Sequence, residues 1–501
     1  MAKLLFVFLN NEYRPMIPPN LVDLEAYVSK HGHEVRVFDT SFYADVLNLE
    51  NIKRNVEVGS YYGVDYSKYG ISIKYEPSFQ DLLKTIEDYK PDLIGFGVYG
   101  YTEKKADELA RQVKKKFKDI PIIFGGVEVT INPKKSIVKD WVDLICVGEG
   151  EGALLDICNA IDSGKTDFSS INNIWAKKKG NVVRNPLRPL IDPNDIPGPD
   201  WSSYLPYQHY GPIEGKVYKL GMVMFTRGCP YSCSYCESVL VREIYANAGM
   251  KKYVRHKSPE KFVRDCKFLV DSYGVEFFYF TDGTFLTMPD PVLEELAHLF
   301  KTKVNKQFLC LTTVPSITEK RAKLLKEMGC FQVNMGIETG SQSYRKEILN
   351  RPNMTNDSIV AAFKAIKNVG IRVSAYNMIG VPWQNRAGVF ETIELNRLCQ
   401  PDRTNVSIYI PFDGTHLTER LKREGYITNE TELGDETVAT VKVPSDMSLE
   451  EIQGLHRTFN LYCKVPRELF PLLESCEKEN ETTKFILDKL KDIYFPISEV
   501  R

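Results

Sequence analysis

The sequence carries no surplus of charge: 65 Lys and Arg stand against 66 Asp and Glu, for a net charge of −1. Bulk attraction to nucleic acid or to an anionic membrane is therefore not an organising feature, and no clear nucleic-acid-binding signal stands out. A long apolar run is also missing. The opening M-A-K-L-L-F-V-F-L-N-N-E is too short to span a bilayer and lacks a small-residue cleavage pattern, so a cytoplasmic protein is expected. Paired cysteines are scarce as well. Of 11 cysteines, Cys146, Cys158, Cys266, Cys310, Cys330, Cys399, Cys463 and Cys476 are scattered singly, which argues against a disulfide framework and fits a reducing compartment. What remains, 43% hydrophobic and 26% charged over 501 residues, is ordinary for a globular chain of two or three domains.

The other three cysteines stand together. Residues 226–238 read T-R-G-C-P-Y-S-C-S-Y-C-E-S, placing Cys229, Cys233 and Cys236 in C-x3-C-x2-C spacing after a short apolar strand at 222–225. On a loop, three thiolates can converge on one centre, whereas a strand would send alternate side chains to opposite faces. Iron–sulfur clusters ordinarily take four thiolates, so a compact set of three points to a four-iron cluster with one iron open to a ligand. The competing readings are a zinc site or three buried thiols. Zinc would want a fourth Cys or His nearby, and the nearest histidines, His209 and His256, lie about twenty residues away on either side.

With Tyr235 before the last cysteine, this motif resembles that of the radical S-adenosylmethionine (SAM) superfamily. The resemblance implies a [4Fe-4S] cluster whose open iron chelates SAM, and an electron donor such as flavodoxin or ferredoxin. Downstream, residues 204–425 alternate strand and helix, with strands expected at 222–225, 276–281, 307–312, 331–336, 372–380 and 404–410. Helix signals lie between them, Ser258-Pro259 to Gly274, then helices stopping at Gly329 and Gly370. Six such units match the family's partial (β/α)6 barrel, whose chemistry gathers at the strands' carboxyl ends. By resemblance, Asp282 and Gly283 would hold the methionine amine of SAM and Glu338 the ribose hydroxyls. Ser374, Gly380 and Val381 would pack adenine and methionine, with Tyr235 near the adenine. Tyr376 and Asn377 are candidates to face the substrate.

Ahead of the barrel, residues 1–165 read as an α/β Rossmann-like domain. Strands are expected at 4–9, 34–39, 92–98, 121–126 and 143–148, with helices between them, which argues an open parallel sheet. Its strand ends are rich in glycine: Tyr99-Gly100-Tyr101-Thr102, Gly125-Gly126-Val127-Glu128 and Gly148-Glu149-Gly150. Glycine there lets backbone approach a flat ligand closely. In this order, ahead of the cysteine triplet, these loops resemble the cobalamin-binding domain of class B radical SAM enzymes, where they enclose the corrin. No D-x-H-x-x-G is present, so the lower cobalt ligand is unassigned. A hairpin at 172–188 turning at Gly180-Asn181 and a stiff, proline-rich linker at 191–201 fill residues 166–203. Residues 426–501 resemble the helical tail of class B enzymes, with Leu449, Ile452, Leu455 and Phe459 at helical spacing and Phe485, Leu487 and Leu490 more loosely so.

The resemblance implies methyl transfer from methylcobalamin to an unactivated carbon of a small-molecule, peptide or protein substrate. Relatives that cyclise, contract rings or oxidise share the two domains and are an open alternative. Methylthiotransferases carry cysteines in their first domain, whereas none precedes Cys146 here. A corrin- or nucleotide-binding sensor with a degenerate barrel is disfavoured by the intact triplet.

Overall fold

The computed structural model of the chain describes residues 1–60, 63–428, 431, 437–438, 441 and 443–495. An apolar run fills β1 (Lys3–Phe8), and it lies parallel to β2 (Glu34–Asp39), β3 (Leu93–Gly97), β4 (Ile122–Gly125) and β5 (Leu144–Cys146). The order β2-β1-β3-β4-β5 reverses direction between β1 and β3, which places the ligand crevice of a doubly wound sheet at the carboxyl ends there. Separate apolar layers cover the two faces, one around Leu82, Leu109 and Phe124, the other around Leu21, Leu154 and Ile157.

The hairpin strands β6 (Ile174–Lys178) and β7 (Asn181–Arg184) run antiparallel and extend this same sheet past β5. The hairpin expected in the connector is thus the edge of the first sheet. Its left-handed residues are Lys179 (φ 49°) and Gly180 (φ 79°), one position earlier than Gly180-Asn181. Two successive left-handed residues match the twist of the flanking strands.

The second sheet opens with β8 (Tyr210–Ile213) antiparallel to β9 (Lys216–Val223). A two-stranded ribbon follows, β10 (Thr226–Arg227) with β11 (Arg255–His256), belonging to neither large sheet. Then come β12 (Phe277–Phe280), β13 (Gln307–Thr312), β14 (Cys330–Glu338), β15 (Arg372–Ile379) and β16 (Arg403–Ile408). Strands β9, β12, β13, β14, β15 and β16 are parallel and neighbouring in that order, and the sheet does not close on itself. The expected first strand, 222–225, is a correction: it begins at Lys216 and ends at Val223. Asp282 accepts hydrogen bonds from the backbone N–H groups of Phe225 and Thr226, and this bends the chain out of the sheet.

The signals at Ser258, Gly274 and Gly329 act as expected, Ser258 accepting a first-turn N–H and the glycines closing their helices with left-handed φ; Thr318 and Thr355 cap their helices in the same way as Ser258. Helices pack on the outer face around the stacked rings of Phe280 and Phe308, 4.3 Å apart. The helix Leu449–Tyr462 lies against β16, burying Leu455 and Phe459 completely, and its Asn460 donates to the Val58 carbonyl of the first domain at 2.7 Å. Phe485 departs from the expected apolar face, being 63% exposed, while Leu487 and Leu490 are buried. Among the described residues no helix is long and apolar enough to cross a membrane.

Candidate functional site

Cys229, Cys233 and Cys236 sit on the loop between β10 and the helix Glu237–Asn247, each half-buried. The loop is held from within by Arg242, whose guanidinium donates to the carbonyls of Pro230 (2.6 Å) and Tyr231 (2.9 Å) and to Ser232 Oγ (2.6 Å). From outside, the Ser234 hydroxyl donates to the Ile348 carbonyl at 2.6 Å and Asn350 Nδ2 to the Ser232 carbonyl at 2.7 Å. Burial pushes the Cys233 thiol up to about 11 and raises Cys229 too. Thiolates there call for a metal to stabilise them. Among the described residues no three His, Cys, Asp or Glu side chains are grouped to hold one metal ion. A cubane takes one thiolate at each of three separate irons.

Two carboxylates were expected at the neighbouring strand ends. Asp282 is completely buried, and its oxygens accept the backbone N–H groups that bend the chain toward the cysteine loop. Burial lifts its pKa to about 6. Asp282 braces the loop, while its neighbour Gly283 is exposed with open space where a Cβ would stand. Glu338 lies past a bulge in β14 with φ 68°. A bulge of this kind re-aims a side chain, and here the carboxylate folds back to where a Cβ on Gly336 would be and pairs with Arg351. Arg351 also donates to Tyr235 Oη at 3.2 Å and Thr313 Oγ1 at 2.9 Å. One arginine so joins the ends of β13 and β14 to the cysteine loop. Val381 is fully buried among Leu349, Tyr409 and Leu417, and a Cβ on Gly380 would sit 3.0 Å from Ile452. Both belong to the packed interior rather than to an open face.

In the first domain, Gly97 and Gly125 end β3 and β4 with open ground above them: a Cβ would meet nothing within 4 Å at Gly97 and only Cys146 Cβ, 3.8 Å away, at Gly125. Tyr99 and Tyr101 stack beside this edge at 5.8 Å, with Asn20 on the Tyr99 hydroxyl and Thr102 closing the turn. Gly126 and Gly148 serve the backbone instead. Both have left-handed φ, and a Cβ would strike the Val98 carbonyl at 2.7 Å or the Tyr245 hydroxyl at 2.2 Å. Val127 starts a short helix facing Glu237–Asn247, and the Glu128 carboxylate beneath it is raised by burial.

Glu149 faces the second domain. Its carboxylate receives Arg255 at 2.6 Å and Arg227 at 3.4 Å, so it ties the domains together, with Gly150 beginning the helix behind it. Arg227, two residues before Cys229, also reaches Asp23 and Glu151 at 2.7 Å each. The ribbon thus presents two arginines to three carboxylates of the first domain.

Between the domains lies a cavity of about 1080 Å³. Gly100, Tyr101 and Glu128 line it from the first sheet, and Asn334, Ser374, Tyr376 and Ser407 from the barrel. Asn377 points elsewhere, bonding Asn396 and the Asn405 carbonyl behind the sheet.

Residues 223–395 match the Radical SAM superfamily, and residues 13–157 match the B12 binding domain. The chain belongs to the cobalamin-binding radical SAM proteins. Among curated relatives, an uncharacterized methyltransferase of Pyrococcus horikoshii is 27% identical over 344 residues, 68% of this chain and 72% of that one. The anaerobic magnesium-protoporphyrin IX monomethyl ester cyclase of Rubrivivax gelatinosus is 27% identical over 342 residues, 67% of this chain and 59% of that one. The cytidylyl-2-hydroxyethylphosphonate methyltransferase of Streptomyces wedmorensis is 23% identical and aligns over 91% of this chain and 87% of its own. In fold, the radical SAM methyltransferase TsrM of Kitasatospora setae superposes with a TM-score of 0.62 at 16% identity, over 93% of this chain and 86% of that one. The cobalamin-dependent radical enzyme OxsB does so with 0.67 at 14%, over 98% and 70%.

The residues of this radical SAM protein fit both implied groups. Three unpaired thiols on a braced loop are a donor set for an iron–sulfur cluster with a free corner. The bare edge above Gly97 and Gly125, beside stacked tyrosines, lets the backbone come close to a flat ligand. The first domain brings no histidine there: His31 and His33 lie in the loop that enters β2, at the opposite end of the strands. Sequence reasoning missed Arg227, Arg242 and Arg351. Only Arg227 left a signal, an arginine between an apolar strand and a cysteine loop.

Proposed function

We propose that this chain is a methyltransferase acting on an unactivated carbon, with cobalamin, SAM and a [4Fe-4S] cluster as its cofactors. The observation that carries the reading is one cavity shared by the carboxyl ends of the first sheet and the inner face of the barrel sheet, lined by Gly100 and Glu128 on one side and Ser374 and Tyr376 on the other. When bound, the cofactors supply a SAM-derived radical that takes a hydrogen atom and a cobalt-carried methyl group that replaces it. In this reading Cys229, Cys233 and Cys236 hold three irons, while Arg242 and Arg351 fix the loop that presents them. Gly283 and the Glu338–Tyr235 pair border SAM, and Gly97, Tyr99, Gly100, Tyr101 and Gly125 border the corrin. A small-molecule substrate and a flavodoxin- or ferredoxin-like reductant complete the system. Eleven unpaired cysteines support a reducing, cytoplasmic setting.

The test is anaerobic turnover with SAM bearing a deuterated methyl group. We expect 5'-deoxyadenosine together with label in the product. Cys233→Ala should lose iron and 5'-deoxyadenosine formation while keeping its circular dichroism spectrum. Product formed without label would favour the cyclase-like alternative represented by the Rubrivivax relative.

A further inference from the structure

Building on the cavity as the place where substrate is held, we propose that the part of the substrate inside the barrel is uncharged and carries N–H or O–H donors, as an amide or an alcohol does.

The inner faces of β14, β15 and β16 supply the reason. Side chains alternate along a strand. Val333 and Met335 on β14, with Val373 and Ala375 on β15, face the helices, which leaves Gln332, Asn334, Ser374 and Tyr376 facing the cavity. Register sets Asn334 beside Ser374 and Tyr376 beside Asn405, so this part of the wall is a patch of neutral hydrogen-bonding groups, bordered at Ser374 by Arg403, whose guanidinium is held by Glu214. Most of these groups already serve one another: Gln332 Nε2 donates to Asn334 Oδ1 at 2.9 Å, Asn334 Nδ2 to the Tyr376 hydroxyl at 3.4 Å, and Asn405 Nδ2 to Ser374 Oγ at 2.8 Å.

Gln332 Oε1 is left over. It is buried with no hydrogen-bond partner, on a residue only 4% exposed that lines the cavity. A donor on the substrate satisfies this acceptor, whereas a hydrocarbon would seal it in unpaired, which is unfavourable. Ionised ligands find no counter-charge to spare: of the wall's basic side chains, Lys104 has a partner of its own and Arg14, Lys135, Arg403 and Lys422 serve its acids. Each acidic side chain of the wall already faces a basic one: Glu214 with Arg403 at 3.1 Å, Glu103 with Lys135 at 2.6 Å, Glu128 with Lys135 at 3.6 Å, and Glu12 and Asp413 with Arg14 and Lys422.

Ligand-observed NMR on the cofactor-loaded protein tests this with probes that share one ring: benzamide, benzyl alcohol, benzoate, benzylammonium and toluene. Benzamide and benzyl alcohol should bind best, and Gln332→Leu should weaken both by about five-fold, the equivalent of one hydrogen bond. Gln332→Glu keeps the shape, adds a charge, and should transfer the preference to benzylammonium. Benzoate or toluene binding the unaltered protein as well as benzamide would overturn the proposal. So would benzamide binding that neither substitution changes. Because binding is read without turnover, these outcomes are independent of whether labelled methyl reaches a product.

Discussion

Glu25 shows how one side chain can set a pH response. It lies on the first helix, Pro19–Lys30, 6% exposed, and takes the Ser203 hydroxyl as donor. Burial lifts its pKa to about 7, outweighing the Ser203 hydroxyl that favours the anion. Because the folded value lies above the ordinary one, this group's contribution is fully present below its unfolded pKa of about 4.5 and is lost as pH rises through about 7. The span corresponds to about 3 kcal/mol as an upper bound. Glu25→Gln stays neutral at every pH, so it should flatten the fall in Tm between about pH 5 and 8 and raise Tm at the alkaline end. A variant with the parent's slope would show that the charge there is already neutralised. At this scale, the cysteine triplet and Glu338 were legible in the sequence as chemistry, but their partners were not. Arg351 meets Glu338 only because a bulge and Gly336 turn the carboxylate backward, and no spacing rule encodes that.

The ribbon β10–β11 is the element on which the two halves depend. Arg227 is 14% exposed among Asp23, Glu149 and Glu151. Removing one member of such a buried set leaves the others uncompensated, at a cost of about 3–5 kcal/mol. Arg227→Met should therefore lower the denaturation midpoint strongly, and Arg227→Lys should recover part, since an ammonium cannot fork between two carboxylates. Adding Asp23→Asn to Arg227→Met should restore some of the loss; if it restores nothing, the carboxylate was not left unpaired. Strands were largely legible because apolar runs alternate with helix stops, as in 307–312 followed by the helix that ends at Gly329. The ribbon was not. Two residues on each side make no period, and the pairing arises from Asp282, remote in sequence, drawing the chain out of β9.

For the whole molecule, the carboxy-terminal helices complete a wall. Helix Leu449–Tyr462 covers Val406 and Ile408 on the open edge of the barrel sheet, with Ile379, Val389 and Ile393 in the same apolar cluster. Ending the chain before Met447 should leave that face bare and give aggregated material on size exclusion. Ending it before Glu481 removes Leu487 and Leu490, with Ile486 and Tyr494, from the rim of that cluster but keeps helix Leu449–Tyr462 on β16, and should leave a monodisperse protein. The order of two α/β units was legible from alternating patterns, whereas their mutual seating was not, because it is written in isolated contacts such as Asn460 with Val58 and Tyr245 with Gly148.

The ribbon leads directly into the cysteine loop, with Gly228 (φ 90°) wedged against Tyr253 between Arg227 and Cys229. Prying the halves apart would tug the very segment that carries the three thiols proposed to hold the cluster. Loss of iron to a chelator is thus a clock for domain opening, and conditions that loosen the seam, high salt among them, would register first as bleaching.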